Sequence, residues 1–130
     1  MLWTLPACVA FSLGGCATEN LADARGRGAK RTFKMPFDDV YAAVLTAAAA
    51  RKLELVSATR ETGTILLSNG ITLGSLGERI AVFVSRISER TTGVEIVSRP
   101  VLAALTFPPD WASLLFGELE EQLVVRRLKR

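Results

Sequence analysis

The side chains that carry nucleophilic and metal chemistry are scarce in this chain. Its 130 residues include no histidine and two cysteines, Cys8 and Cys16. Without an imidazole, the Ser-His and Cys-His pairs that activate a nucleophile are excluded, as are the usual zinc sites. Asp38 and Asp39 are adjacent acids following Pro36 and Phe37. Neighbouring residues on a helix point in different directions, so these two read as carboxylates that cap a helix start, not as a catalytic pair. Glu118 and Glu121 stand three apart on one helical face with no metal-ligating companion, and read as solvated acids balancing the basic residues 126–130. Residues 70–77 are glycine-rich but lack the Gly-Lys-Ser/Thr ending of a phosphate loop. No catalytic, cofactor-binding or metal-ligating residue is therefore expected. An enzyme would have to work with Asp, Glu, Lys or Tyr alone.

Cys16 is singled out by position. Residues 1–18 carry no charged side chain, residues 5–13 are mostly apolar, and Gly14 and Gly15 place small residues just before the cysteine. This is the layout of an exported leader, with an apolar segment and then small residues at the cut, although no Lys or Arg precedes the apolar segment. Leu13-Gly14-Gly15-Cys16 resembles the lipobox of bacterial lipoproteins. The resemblance implies a signal peptide over residues 1–15, cleavage between Gly15 and Cys16, and fatty acyl groups such as palmitate on Cys16. Ala17 is not the Asp associated with inner-membrane retention, so the resemblance implies an outer-membrane anchor facing the periplasm. The competing accounts are an ordinary cleaved signal peptide and an uncleaved transmembrane helix, since the uncharged run approaches the roughly 20 residues that cross a bilayer. Pro6, Gly14 and Gly15 weigh against the helix.

The chain beyond the leader must position any binding surface. The composition, 49% hydrophobic and 22% charged, suits one globular domain over residues 31–130. Cys8 lies in the leader and Cys16 would carry lipid, so that domain would have no thiol free for a disulfide and must fold by packing. Sixteen bases against thirteen acids give a net charge of +3. The bases are scattered apart from two clusters, unlike the basic stripe with interleaved aromatics of a nucleic-acid binder. Residues 16–30 contain Gly26 and Gly28 and no sustained periodicity, and read as a flexible tether. Arg25, Arg27, Lys30, Arg31 and Lys34 form the first basic cluster, read as a solvated linker with attraction to anionic lipid as the functional alternative.

Periodicity places the elements. Phe33 and Met35 share one face of a short strand over 31–35, ended by Pro36. A helix then runs to about residue 52, with Val40, Tyr41, Val44, Leu45, Ala48 and Ala49 as its apolar stripe and Arg51 and Lys52 at its negative end. Residues 53–59 and 64–68 read as a hairpin with Leu53, Leu55, Ile65 and Leu67 inward. Residues 79–87 and 92–99 read as a second hairpin, with Ile80, Val82 and Val84 facing the same core as Val94 and Ile96. Pro108-Pro109-Asp110 opens a last helix whose buried side is Trp111, Leu114, Leu115, Leu119, Gln122 and Leu123. The expected fold class is α+β, a five-stranded mainly antiparallel sheet with two helices in the order β-α-β-β-β-β-α.

That order, with Phe33-Lys34-Met35-Pro36-Phe37-Asp38-Asp39-Val40-Tyr41 leading into the first helix, resembles the TATA-binding-protein-like or helix-grip arrangement. Similar arrangements occur in small envelope lipoproteins, including a component of the outer-membrane barrel assembly machinery. The resemblance implies a lipid-anchored, non-catalytic binding or assembly module with an envelope-protein partner. A carrier of a small apolar ligand is the alternative. In such a topology residues 69–77 and 100–109 lie at one end of the sheet, beside the start of the first strand. Neither segment is charged, and Ile71, Leu73, Leu76, Val101, Leu102, Leu105 and Phe107 form a candidate rim for a partner, a bilayer or an apolar ligand. Sealing the end of the core is the structural alternative for the same residues.

Overall fold

The computed structural model describes residues 21–70, 77–101 and 109–129. A short 3-10 turn, Leu21–Ala24, precedes β1 (Ala29–Phe33), α1 (Phe37–Ala50), β2 (Glu54–Thr59), β3 (Thr64–Asn69), β4 (Glu78–Ser88), β5 (Thr91–Pro100) and α2 (Trp111–Leu128). The five strands form one sheet in the order β1-β5-β4-β3-β2, and every neighbouring pair is antiparallel. The α+β class and the order β-α-β-β-β-β-α are those read from the sequence. Antiparallel alternation leaves the edge strands β1 and β2 running in the same direction, so the chain must cross the sheet between them, and α1 makes that crossing.

Both helices cover one face. Ile80, Val82 and Val84 of β4 and Val94 and Ile96 of β5 point into the main core, where they meet Val40, Val44 and Ala47 of α1 and Leu115, Phe116 and Leu119 of α2. Small residues on α1 let it lie close to the sheet: Ala43 and Ala47 are 0% and 1% exposed. The expected stripe is thereby corrected. Ala43 and Ala47 replace Ala49, which is exposed, and Leu45 is half-buried. On α2, Leu114 and Gln122 are half-buried and Phe116 belongs to the core instead.

The end of α1 also differs from expectation. The helix stops at Ala50, and the Lys52 N–H donates to the Ala49 carbonyl at 3.0 Å while the Leu53 N–H donates to that of Ala48 at 3.0 Å. This bond pair is the Schellman stop, which demands a left-handed residue at Lys52. Lys52 meets the demand with φ of 59°, so it ends the helix directly after the C-cap Arg51.

Two strand readings are revised as well. β1 begins and ends two residues earlier than expected, because its ladder with β5 stops at Phe33 opposite Thr92. Beyond that point the fully buried Thr92 hydroxyl donates to the Met35 carbonyl at 2.8 Å, so Met35 stays inward without being in the strand. Leu55 lies opposite Leu67 on the helix side of the sheet, yet it is 52% exposed. It sits on the edge strand beside a register shift between Leu55 and Ser57, where a bulge bends the strand out from under the helices.

Residues 21–30, expected within a flexible tether, are docked on the sheet's other face. Leu21 and Ala24 are buried against Ala81, Phe83 and Val97, the outward-facing residues of β4 and β5. The docked chain therefore reaches back at least to Leu21, ten residues before the boundary expected from the sequence. Among the described residues no helix is long and apolar enough to cross a membrane.

Candidate functional site

One end of the sheet gathers the β1–α1 connection, the β2–β3 turn and the β4–β5 turn. The β2–β3 turn is fixed first. The Gly63 N–H donates to the Arg60 carbonyl at 3.2 Å, and the Gly63 carbonyl accepts from the Val84 N–H at 2.8 Å. Gly63 has φ of 68°, and a Cβ there would lie 1.9 Å from the Val84 carbonyl oxygen. Only glycine lets the turn press onto β4 in this way. The pressed turn delivers Arg60 across the start of α1, where it pairs with Asp38.

Phe37 and Tyr41, one helical turn apart, stack with ring centroids 5.6 Å apart. The Arg60 guanidinium lies 5.9 Å from the Phe37 centroid and 5.3 Å from that of Tyr41, and Arg86 of β4 lies 5.2 Å from Phe37. Aromatic faces hold guanidinium groups by attraction to the ring's negative face. Phe37, Arg60 and Arg86 line an open cleft of about 450 Å³ with Thr62 and Ser85 on its wall. Two guanidinium groups beside an aromatic floor suit a carboxylate- or phosphate-bearing group, since Arg presents planar paired donors. Asp38 and Glu61 line the same cleft and limit its net charge.

A second, shallower cleft of about 350 Å³ lies on the outer face of the sheet, lined by Arg25, Lys30, Thr32, Phe83, Ile87 and Glu95 among others. Its wall is the docked N-terminal segment. Glu95 on β5 is 6% exposed, and its carboxylate accepts from the Gly26 N–H at 2.7 and 2.8 Å and from the Gly28 N–H at 2.8 Å. Those bonds satisfy a buried charge that would otherwise be costly. Gly28 lies so close to β5 that a Cβ would come within 2.3 Å of the Ile96 carbonyl oxygen. Arg25 covers the Phe83 ring at 4.6 Å and donates to the Thr62 carbonyl at 2.9 Å and the Ser85 hydroxyl at 3.2 Å. Segment and sheet are thus joined by packing, a carboxylate clamp and one arginine.

The candidate residues named from the sequence fare unevenly. Gly15, Cys16, Ile71, Leu73, Leu76, Leu102, Leu105 and Phe107 lie outside the described residues. Val101 is described, 51% exposed, and its N–H donates to the Gly77 carbonyl at 2.9 Å. The expected gathering of segment ends holds in the sheet register: Asn69 faces Glu78, Glu78 faces Pro100, and Ala29 faces Ile96. The chain reaches Ala29 from the outer face, however, and not from beyond that end.

Other assignments change. Asp38 and Asp39 do stand in the first turn of α1, but Pro36 occupies the cap position without a side-chain bond; Asp38 serves the Arg60 pair instead. Glu118 is half-buried and pairs with Arg51 of α1 at 3.5 Å, while Glu121 is exposed. The first basic cluster is not wholly a solvated linker. Arg25 is engaged as above, and Arg31 pairs with Glu120 at 2.6 Å and covers the Phe116 ring at 4.7 Å. Asp110 caps α2 through the Ser113 N–H at 3.2 Å and the Ser113 hydroxyl at 2.6 Å. The Ser113 hydroxyl and then its N–H hold the Asp110 carboxyl below its ordinary value of 3.8.

Sequence reasoning missed Arg60, Arg86 and Glu95. The one available signal was Glu95 itself, a lone acid among Val94, Ile96 and Val97, where an unpaired carboxylate would be out of place. Among the described residues no three acids converge into a group able to hold a metal ion. In comparisons with known proteins, no family model matches the chain and no curated protein is significantly similar to it.

Proposed function

We propose that this chain is a lipid-anchored protein of the bacterial cell envelope, held through acylated Cys16 on the periplasmic side of the outer membrane, where its domain acts as a non-catalytic binding or assembly module. The observation that carries the reading is the lipobox-like Leu13-Gly14-Gly15-Cys16 at the end of an uncharged run, whose cysteine stands five residues before the docked Leu21. A leader ending at Gly15 would leave only residues 16–20 between the cut and the docked segment. The cleft between Arg60 and Arg86, with its aromatic floor, supports a binding role directed at anionic groups of an envelope partner.

The test is growth of the expressing bacterium with a labelled fatty acid. Label should appear in the wild-type protein and be lost from a Cys16→Ser variant; equal labelling of both, or of neither, would reject the anchor. Partner recovery from solubilised membranes tests the module. Arg60→Ala together with Arg86→Ala should weaken partner recovery if the cleft is used, whereas Leu73→Asp with Leu105→Asp should do so if the uncharged segments are. Unchanged recovery with both pairs would reject a binding role through either surface.

A further inference from the structure

We propose that the outer face of the sheet is the surface that lies against an anionic lipid bilayer, with the helices directed away from it. The inference rests on the anchor reading of Cys16 and goes beyond it by fixing orientation. Five residue steps separate Cys16 from Leu21, and a fully extended chain covers at most about 3.6 Å per step, so Leu21 can stand no more than about 18 Å from the lipid-bearing residue. Leu21 is buried on the outer face of the sheet. To turn the helices toward the bilayer, the linker would have to pass the sheet and a helical layer roughly 10–12 Å thick, about 20–22 Å in all. The linker is too short for that. What remains is contact through the outer face or through a sheet edge.

Charge decides between them. Arg25, Arg27, Lys30 and Arg79 are exposed on the outer face or on the segment docked to it, with Arg99 half-buried beside Arg79. The acids on that side are Asp23, Glu54 and Glu95, and the Glu95 carboxylate is already bonded to the Gly26 and Gly28 N–H groups. A surface with excess cations and exposed apolar side chains, Ile87 at 59% and Val101 at 51%, suits an anionic leaflet, whose negative surface potential attracts bases. The edge strand β2 offers no such excess, since Glu54 is its only charged residue, and on the edge strand β1 Lys30 belongs to the outer face while Arg31 pairs with Glu120 of α2.

The experiment uses the acylated protein isolated from membranes and incorporated into vesicles of phosphatidylglycerol and phosphatidylethanolamine. A fluorophore is placed through Thr32→Cys on the outer face of β1 or through Thr46→Cys on the exposed side of α1, and lipid-borne nitroxide is the quencher. Quenching at the Thr32→Cys probe should exceed that at the Thr46→Cys probe at least threefold, and should fall when phosphatidylcholine replaces both lipids or when Lys30→Glu and Arg79→Glu are added. Equal quenching at the two probes, or stronger quenching on α1, would overturn the orientation while leaving the anchor intact. Mass analysis of the same sample separates the two ideas, because a protein without acyl chains would defeat the anchor and this orientation together.

Discussion

Replacement of Glu95 by Ala should open the N-terminal segment without unfolding the domain. The carboxylate holds two backbone donors, Gly26 N–H and Gly28 N–H, at 2.7–2.8 Å. A hydrogen bond to a charged group contributes about 1.5–3 kcal/mol. Gly26 is exposed and Gly28 half-buried, which places each bond at the lower end, about 3 kcal/mol for the pair. Since about 1.4 kcal/mol is a factor of ten, the open population of the segment should rise roughly a hundredfold. Native-state hydrogen exchange reads this directly, because locally opened segments exchange independently of the global fold. The amides of Gly26 and Gly28 should speed up by about that factor in Glu95→Ala, and less in Glu95→Gln, which keeps one accepting oxygen. The β4–β5 ladder amides should keep their protection. Segment amides within threefold of wild type, or ladder amides accelerated equally, would refute the clamp.

Three further outcomes concern the backbone and caps. Lys52→Gly should stabilise the domain by about 0.5–1 kcal/mol in urea denaturation, because glycine holds a left-handed φ without strain; a loss of stability would contradict the stop assigned to α1. Gly63→Ala should cost about 3 kcal/mol, from its positive φ and the clash with the Val84 carbonyl, and should alter the near-ultraviolet circular dichroism of Phe37 and Tyr41. An unchanged urea midpoint would show that the turn does not press on β4. Asp110, whose carboxyl is held below its ordinary value, contributes stability that is complete above the unfolded value and is lost as pH falls through the folded one. The stability gap between wild type and Asp110→Asn should therefore stay constant from neutral pH to about pH 5 and close in more acidic solution. A gap that persists at about pH 2 would refute the carboxylate cap.

The sheet was readable because β4 and β5 alternate so regularly that Ile80, Val82, Val84, Val94 and Ile96 fall on one face. The same run held a second message in Ala81, Phe83 and Val97, whose apolar character requires a cover on the other face too. The cover was not legible because Leu21 and Ala24 make up only a few residues in glycine- and arginine-rich surroundings, with no period to follow. Leu55 shows the limit of alternation, which assigns a residue to a face but cannot say whether a helix reaches over it. The cleft was hidden for another reason. Arg60, Arg86 and Phe37 are distant in sequence, and only the press of Gly63 against Val84 brings their side chains together.

The proposed anchor is Cys16, five residues ahead of the docked Leu21. Intact-mass analysis of the protein extracted from its native membrane tests this most directly. The expected product starts at Cys16 and carries the added mass of fatty acyl groups on that residue; a product that retains residues 1–15, or one with an unmodified Cys16 thiol, would overturn the anchor.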